Sequence, residues 1–316
     1  MKSRIIKKIP LPIAGLMLAL AAMGNLISSY GIVYKNIFGI LSFVIFILLV
    51  LKMGIYRKDI VEDLKNPVIA SVFPTFSMGI MILSTYIKPH LPYVAYGIWI
   101  LALVIHFSLI IYFTKKFIFN FDIKKVFPSY FVVYVGIVVG SVTASAYDLN
   151  YIGRLVFWLG FVAYLILLPL VVYRVFAVKA IQEPVLPTIT IFTAPASLCL
   201  AGYLSSFESK NMFIIYFLTI LSLAMFFLVL LYMPKMLKIK FYPSYSAFTF
   251  PFVISAIAVK KLYNFLVNLG QTIVILKYVV VFETLLAVLI VSYVFVRYCI
   301  FILSNRQRKR KIEAAL

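Results

Sequence analysis

The chain has 316 residues, of which 65% are hydrophobic and 12% charged, and its mean hydropathy is +1.10. A soluble domain carries about 25% charged residues, so this composition excludes a soluble enzyme and indicates an integral membrane protein. The formal net charge of +21 suggests nucleic acid as a partner, but the positive residues are spread between apolar runs, so we expect no nucleic-acid binding.

Apolar runs of about 20 residues, the length that crosses a bilayer as a helix, recur along the chain. Transmembrane β-strands are excluded, because they are shorter and alternate polar with apolar residues. The ten predicted helices cover residues 11–30, 36–55, 68–87, 94–113, 128–147, 153–172, 186–205, 212–231, 242–261 and 277–296. The first predicted helix follows a basic N-terminal segment, as a signal peptide does, but it has no clear signal-peptidase cleavage site. We therefore expect this helix to be retained. We predict a single transmembrane domain over residues 1–302 and a basic tail over residues 303–316.

Lys and Arg are distributed unevenly between the two faces that these helices define. Of the 30 such residues, 22 lie on the face that holds the N-terminus and seven on the opposite face. Because such an excess marks the cytoplasmic side, we expect a multi-pass protein of the cell (inner or plasma) membrane with both termini in the cytoplasm. The basic run at residues 306–311 is interpreted as an anchor, or alternatively as a contact for anionic lipid head groups.

The odd-numbered and even-numbered helices differ in composition. The odd-numbered helices begin 56 to 60 residues apart, which indicates a repeated helical hairpin. Their windows hold 39 Gly, Ala, Ser or Thr residues in 100, against 16 in 100 for the even-numbered windows. Small residues allow close helix packing, while bulky apolar residues face lipid at no cost. We therefore predict an all-α fold of five hairpins with inner odd-numbered and outer even-numbered helices.

Proline is concentrated in the odd-numbered helices, at positions 12, 74, 128, 187, 195, 243 and 251. A proline inside a helix frees a carbonyl and bends the helix. In lipid this is tolerated only where protein or water can satisfy the freed group. The inner helices therefore form either a ring around a narrow central pore, which we favour, or a solid packed core.

Ionisable residues are nearly missing from the predicted inner helices, where only Lys260 and Lys261 occur, at the far end of the ninth. No nucleophile, metal-binding or paired-acid motif is present, so we expect no enzymatic activity, catalytic residue, metal or cofactor. Rings of carboxylates that would select cations are missing too. The groups that remain to line a pathway are hydroxyls, backbone N–H groups freed at kinks, and basic residues at its two ends. These groups suit a small anion.

Two ionisable residues lie well inside predicted outer helices. His106 is expected to be a hydrogen-bonded core or interface residue. Glu283 is either an acid that couples transport to protons or a structural residue paired with Lys277 or a neighbouring subunit. We favour the structural role.

Four short segments have a recognisable pattern: residues 9–12 (IPLP), 65–68 (KNPV), 193–196 (TAPA) and 245–251 (YSAFTFP). In combination and order they resemble the tellurite-resistance/dicarboxylate transporter family, which includes bacterial TehA and the plant guard-cell slow anion channels. The resemblance implies five hairpins in a quasi-fivefold arrangement around a pore, assembly as a homotrimer, and passage of small anions. It departs at residues 14–16, where relatives carry a bulkier aromatic-Gly pair.

The resemblance also implies a gate. In the family a phenylalanine of the ninth helix blocks the pore, and the matching position here is Phe250. A ring beside a proline kink can plug a narrow apolar channel. Candidates for lining the pore are Gly15, Thr75, Gly140, Ser197, Thr249 and Pro251.

Three functions stay open at this point. We favour a gated channel through which small anions permeate passively, occluded by Phe250. A secondary carrier for a C4-dicarboxylate or a tellurite-like oxyanion, with or without proton coupling through Glu283, is the alternative. A membrane scaffold or sensor without flux is the third. Membrane lipids are expected partners in each case.

Overall fold

The computed structural model describes residues 2–179, 181–271 and 273–304, and no strand occurs among them. Its α-helices are α1 (Lys2–Lys8), α2 (Ile13–Ile27), α3 (Ile32–Ile55), α4 (Arg57–Asp63), α5 (Pro67–Val72), α6 (Thr75–Ile87), α7 (Pro92–Phe113), α8 (Tyr130–Tyr134), α9 (Val138–Ala144), α10 (Asn150–Tyr173), α11 (Ala194–Ser206), α12 (Met212–Met236), α13 (Phe250–Asn268) and α14 (Val274–Leu303). Two 3₁₀ segments, Glu183–Thr193 and Pro243–Phe248, precede α11 and α13. The basic run 306–311 lies outside the described residues.

Nine stretches of the described chain are long and apolar enough to cross a membrane. They correspond to nine of the ten predicted helices, and several extend beyond the predicted windows; α14 alone has 30 residues. The predicted helix over 128–147 differs, because it is interrupted between α8 and α9 and contributes only a shorter apolar helix, Val138–Tyr147.

The interruption lies at Gly136, not at a proline. The N–H of Gly136 donates to the carbonyl of Phe131, five residues back, at 3.2 Å. The carbonyl of Val133 accepts instead from Nε2 of His106 on α7 at 3.1 Å, and Nδ1 of His106 bonds the hydroxyl of Ser77 at 2.9 Å. This fully buried histidine therefore satisfies a backbone group that the interruption would otherwise leave unpaired in the membrane.

Burial separates the spans as composition predicts. In the spans that contain α2, α6, α11 and α13, between 61% and 83% of the most apolar window is buried. The corresponding share is 28% to 33% in α3, α7, α10, α12 and α14. Large apolar side chains of these outer helices, such as Ile220, Leu231 and Leu289, are exposed, as expected of side chains that face lipid.

The inner elements contact one another in a closed order: α2 packs on α6, α6 on α9, α9 on α11, α11 on α13, and α13 on α2. Each also packs on the outer helix that follows it in sequence. Two glycines illustrate how closely these elements approach one another. A Cβ on Gly15 would lie 3.2 Å from Cβ of Ser246, and a Cβ on Gly202 would lie 2.6 Å from Cγ1 of Val138.

Prolines divide the inner segments where kinks were predicted. Pro74 separates α5 from α6, and Pro12 precedes α2. Pro195 and Pro251 occupy the first turns of α11 and α13, each of which follows a 3₁₀ segment. Because proline lacks the N–H of a regular helix, an α-helix starts afresh at each of these points.

The loops that carry most of the Lys and Arg residues share one face, which we call the basic face. The ammonium of Lys7 lies 3.9 Å from the carboxylate of Asp59 in α4. The guanidinium of Arg174, just after α10, donates to the carbonyl of Lys124 at 3.2 Å. The first contact joins α1 to α4, and the second joins the loop before α8 to the end of α10. The ammonium of Lys116, which follows α7, donates to the carbonyl of Leu64 after α4 at 3.3 Å and connects the two pairs.

Candidate functional site

Two cavities lie between the inner segments. The smaller, which we call the central cavity, has a volume of about 40 Å³. The larger, which we call the vestibule, has a volume of about 500 Å³ and reaches the far end of α13. Residues from the first, third, fifth, seventh and ninth predicted helices line both of them, and no residue of an outer helix does.

Phe250 and Leu198 are the two residues that line both cavities. Phe250 is the first residue of α13, directly before Pro251, and its side chain is 6% exposed. Leu198 lies one turn after Pro195 in α11 and is 2% exposed. The two apolar side chains therefore stand between the central cavity and the vestibule, at the level where both of these segments change from 3₁₀ to α-helix.

The central cavity is much narrower than the vestibule, with a volume of about 40 Å³ against about 500 Å³. Its wall is largely apolar, and an apolar constriction opposes ion entry because it removes the hydration shell without replacing it. In this conformation the inner segments therefore enclose an apolar constriction at the central cavity.

Polar groups of the central cavity are already engaged with the backbone. The Thr75 hydroxyl donates to the carbonyl of Val72 at 2.8 Å, and the Ser246 hydroxyl donates to the carbonyl of Pro243 at 3.3 Å. Each hydroxyl has a single hydrogen, so in this conformation neither side chain directs a donor into the cavity.

The predicted site residues fall into two groups. Gly15, Thr75 and Pro251 line the central cavity together with Phe250. Gly140, Ser197 and Thr249 line neither of the two cavities.

Each member of the second group faces a neighbouring element. A Cβ on Gly140 would lie 2.8 Å from Cδ2 of Leu103 on α7. The hydroxyl of Ser197 donates to the Thr193 carbonyl at 2.7 Å and lies 2.7 Å from the hydroxyl of Ser222 on α12. The Thr249 hydroxyl lies 3.3 Å from the carbonyl of Gly15 on α2, and 2.6 Å from the carbonyl of Ser246.

Sequence reasoning missed two residues of this site, Leu198 and Gly136. Leu198 lies three residues after the proline of the TAPA segment, so its spacing from that proline was the available signal. Gly136 lines the central cavity at the interruption between α8 and α9. It had no comparable signal, because no proline marks that interruption.

The vestibule carries two lysines. Nζ of Lys260 donates to the carbonyl of Leu26 and to the hydroxyl of Ser29, both at 2.8 Å, which ties α13 to the end of α2. Lys261 also lines the vestibule and has no hydrogen bond or ion pair within the described part of the chain. Since no acidic side chain among the described residues lines the vestibule, the lysines make this chamber basic.

Glu283 lies outside both cavities, on α14. Its side chain is fully buried, and its two carboxyl oxygens have no hydrogen-bond partner among the described residues. The expected pairing with Lys277 is not observed within the described chain, where Lys277 is exposed. The hydroxyl of Ser255, buried on α13, lies beside the carboxyl of Glu283, but no hydrogen bond of regular geometry joins the two groups.

No group of three or more His, Cys, Asp or Glu side chains that could bind a metal occurs in the described ranges. Residues 9–299 match the voltage-dependent anion channel family. An uncharacterized transporter of Methanocaldococcus jannaschii is 25% identical in sequence, in an alignment that covers 72% of this chain and 75% of that protein.

Proposed function

The chain belongs to the voltage-dependent anion channel family, and from this premise we propose that it is a gated channel for small anions, closed by Phe250. The observation that carries the proposal is the position of this ring between two cavities on the axis of the inner segments. Anions gather in the basic vestibule while still hydrated. They pass the central cavity when the ring of Phe250 moves aside.

The architecture we propose is a ring of five helical hairpins that crosses the membrane ten times in a quasi-fivefold arrangement. The closed packing order of the inner elements supports it, with the interrupted pair α8 and α9 as the fifth inner crossing. The excess of Lys and Arg on the basic face supports cytoplasmic termini in a cell membrane. We further propose that residues 1–302 form a single transmembrane domain and residues 303–316 a cytoplasmic tail. The chain assembles as a homotrimer of the TehA kind.

The proposal is tested by comparing Phe250→Ala with the wild type in planar bilayers. Removing the ring joins the two cavities, so we expect anion conductance to rise by about tenfold or more, equivalent to a barrier lowered by at least ~1.4 kcal/mol. Phe252→Ala is the matched control. Phe252 lies on the same helix but packs on Phe226 at 5.7 Å between ring centroids and lines neither of the two cavities.

A conductance that rises equally in both variants would point to general loosening of α13 and not to a gate. Absence of anion current in the wild type and in Phe250→Ala, in bilayers where a control channel conducts, would overturn the channel proposal.

A secondary carrier for a dicarboxylate or oxyanion is the second candidate, favoured by one observation. A buried carboxyl without a partner is expensive in a membrane and is typical of proton-coupling sites, and Glu283 is such a group. Under the channel proposal, Glu283→Gln leaves anion flux and its pH dependence unchanged, since Glu283 lines neither of the two cavities. Uptake that loses its pH dependence in Glu283→Gln proteoliposomes would favour the carrier.

A further inference from the structure

A third cavity lies away from the inner ring, on the outer surface. It occupies about 760 Å³ between α10, α12 and the 3₁₀ segment Glu183–Thr193. Phe192 and Val229, both buried, form part of its inner wall. Phe176 and Leu228, which are 67% and 61% exposed, lie at its opening. The cavity is therefore an apolar groove that opens toward the lipid-facing surface, and we call it the lateral groove.

One end of the lateral groove is basic. Lys179 and Lys235 line it, and both lie at the basic face, where α10 and α12 end. Both side chains are exposed, and neither forms an ion pair within the described ranges. No acidic residue lines the groove. Its apolar length and its paired ammonium groups thus match a molecule with a long apolar chain and an anionic head.

The backbone holds one of these lysines in an unusual conformation. Lys179 has φ +55°, a region that favours glycine, and such residues persist only where the surroundings fix them. The guanidinium of Arg174, which is buried beside it, donates to the carbonyl of Lys179. The same guanidinium lies over the ring of Phe127. Arg174 therefore acts as a positioning residue that fixes the chain at the basic end of the groove.

We propose that the lateral groove binds an anionic phospholipid, with an acyl chain along the apolar wall and the phosphate between Lys179 and Lys235. Its volume falls within the range of about 300–1,000 Å³ that is usual for small-molecule sites. An acyl chain fills an apolar groove more favourably than water does, because it removes the apolar wall from water. Basic pockets between membrane helices on the cytoplasmic side are suited to anionic head groups, and the basic face is the side that the charge distribution assigns to the cytoplasm.

The bound chain would support the wall of the inner ring. Phe192 packs edge-on against Phe131, with 5.7 Å between ring centroids, and Phe131 lines the central cavity. The 3₁₀ segment that carries Phe192 forms one wall of the groove, opposite α12. An acyl chain there completes its packing on the lipid side.

Native mass spectrometry tests the proposal on the full-length protein, by titration with phosphatidylglycerol and with phosphatidylcholine of the same acyl chains. We expect the wild type to retain phosphatidylglycerol at least about fivefold better. The double variant Lys179→Gln/Lys235→Gln should lose this preference. Lys58→Gln/Lys115→Gln is the matched control, because it removes two charges from the basic face but lines no part of the groove, and it should keep the preference.

A second measurement does not depend on variants. Phosphatidylglycerol with a photoreactive group in the acyl chain should label α10, α12 or residues 183–193 of the wild type. Equal retention of both lipids by the wild type, or labelling confined to other helices, would overturn the proposal. Displacement of the lipid by millimolar inorganic phosphate would show that the lysines take a free anion and would equally contradict it. A change from several copies to one on filling the groove with Leu228→Trp would assign the groove to a second copy of the chain and would overturn the proposal.

Discussion

Hydrogen bonding at single residues decides which side chains face the path. Ser197 and Thr249 lie on inner segments, as predicted, but each hydroxyl donates to a carbonyl three or four residues back, and neither lines either cavity. The sequence shows that such residues occur on an inner helix. It does not show how that helix is rotated about its axis, and therefore which side chains face the cavities. The breaks at Pro195 and Pro251 set that rotation. The motif at 245–251 located Phe250, whereas Leu198 was one leucine among many.

His106 illustrates a residue whose role depends on a distant break in the chain. Its two ring nitrogens bond Ser77 and the carbonyl of Val133. His106→Phe keeps an aromatic ring but leaves the carbonyl of Val133 buried and unsatisfied, at a cost of about 1–3 kcal/mol, while the hydroxyl of Ser77 keeps its bond to the carbonyl of Pro74. We expect a clearly lower melting temperature in detergent, measured by scanning fluorimetry. His90→Phe, at the only other histidine, which is exposed, should leave the melting temperature unchanged.

At the scale of elements, the residue composition of the helices predicted which of them are inner and which are outer. The division into inner and outer helices follows from the solvent, because lipid accepts bulky apolar side chains while contacts between helices select small ones. Burial of the nine described spans confirms that division. The interruption of the predicted helix over 128–147 was not foreseen, since its cause is a bond from His106 on another helix and a glycine in an apolar run.

Gly202 tests the close packing between α9 and α11, which belong to the fifth and seventh predicted helices. A Cβ there would lie 2.6 Å from Cγ1 of Val138, so Gly202→Val forces α9 and α11 apart. Overpacking of this kind costs about 1–3 kcal/mol. We expect a lower melting temperature for Gly202→Val. Gly97→Val on α7 is the matched control, because a Cβ at Gly97 meets no atom within 4 Å. Equal melting temperatures for the two variants would contradict the packing observed here.

At the scale of the whole molecule, charge and volume vary together along the proposed path. The wide vestibule carries two lysines and no acid, while the narrow central cavity has no charged side chain. A wide basic mouth raises the local concentration of hydrated anions, and the apolar constriction then controls their passage. Sequence indicated the uncharged inner ring and the lysines at its far end. It did not show that these lysines share one chamber with Phe250.

The contribution of the vestibule to anion conductance is predicted to depend on the salt concentration. Lys260 is hydrogen-bonded to Leu26 and Ser29. A substitution of Lys261 is therefore the better test, because it removes a charge without breaking these hydrogen bonds. In the Phe250→Ala background we expect Lys261→Gln to lower anion conductance about two- to threefold at 10 mM salt, where the screening length is about 30 Å. At 1 M salt, where the screening length is about 3 Å, the same substitution should have little effect on conductance. Lys261→Arg should retain the conductance at both concentrations.

Lys277→Gln is the control for net charge in the same bilayer measurement, because Lys277 is exposed and lies outside the vestibule. If Lys261→Gln lowers conductance equally at both salt concentrations, its effect is on the shape of the chamber and the electrostatic role is wrong. If Lys277→Gln matches it at low salt, the attraction comes from the charge of the whole face. Only a loss that is confined to low salt and specific to Lys261 assigns anion capture to the vestibule itself, because screening removes a field but leaves a steric change in place.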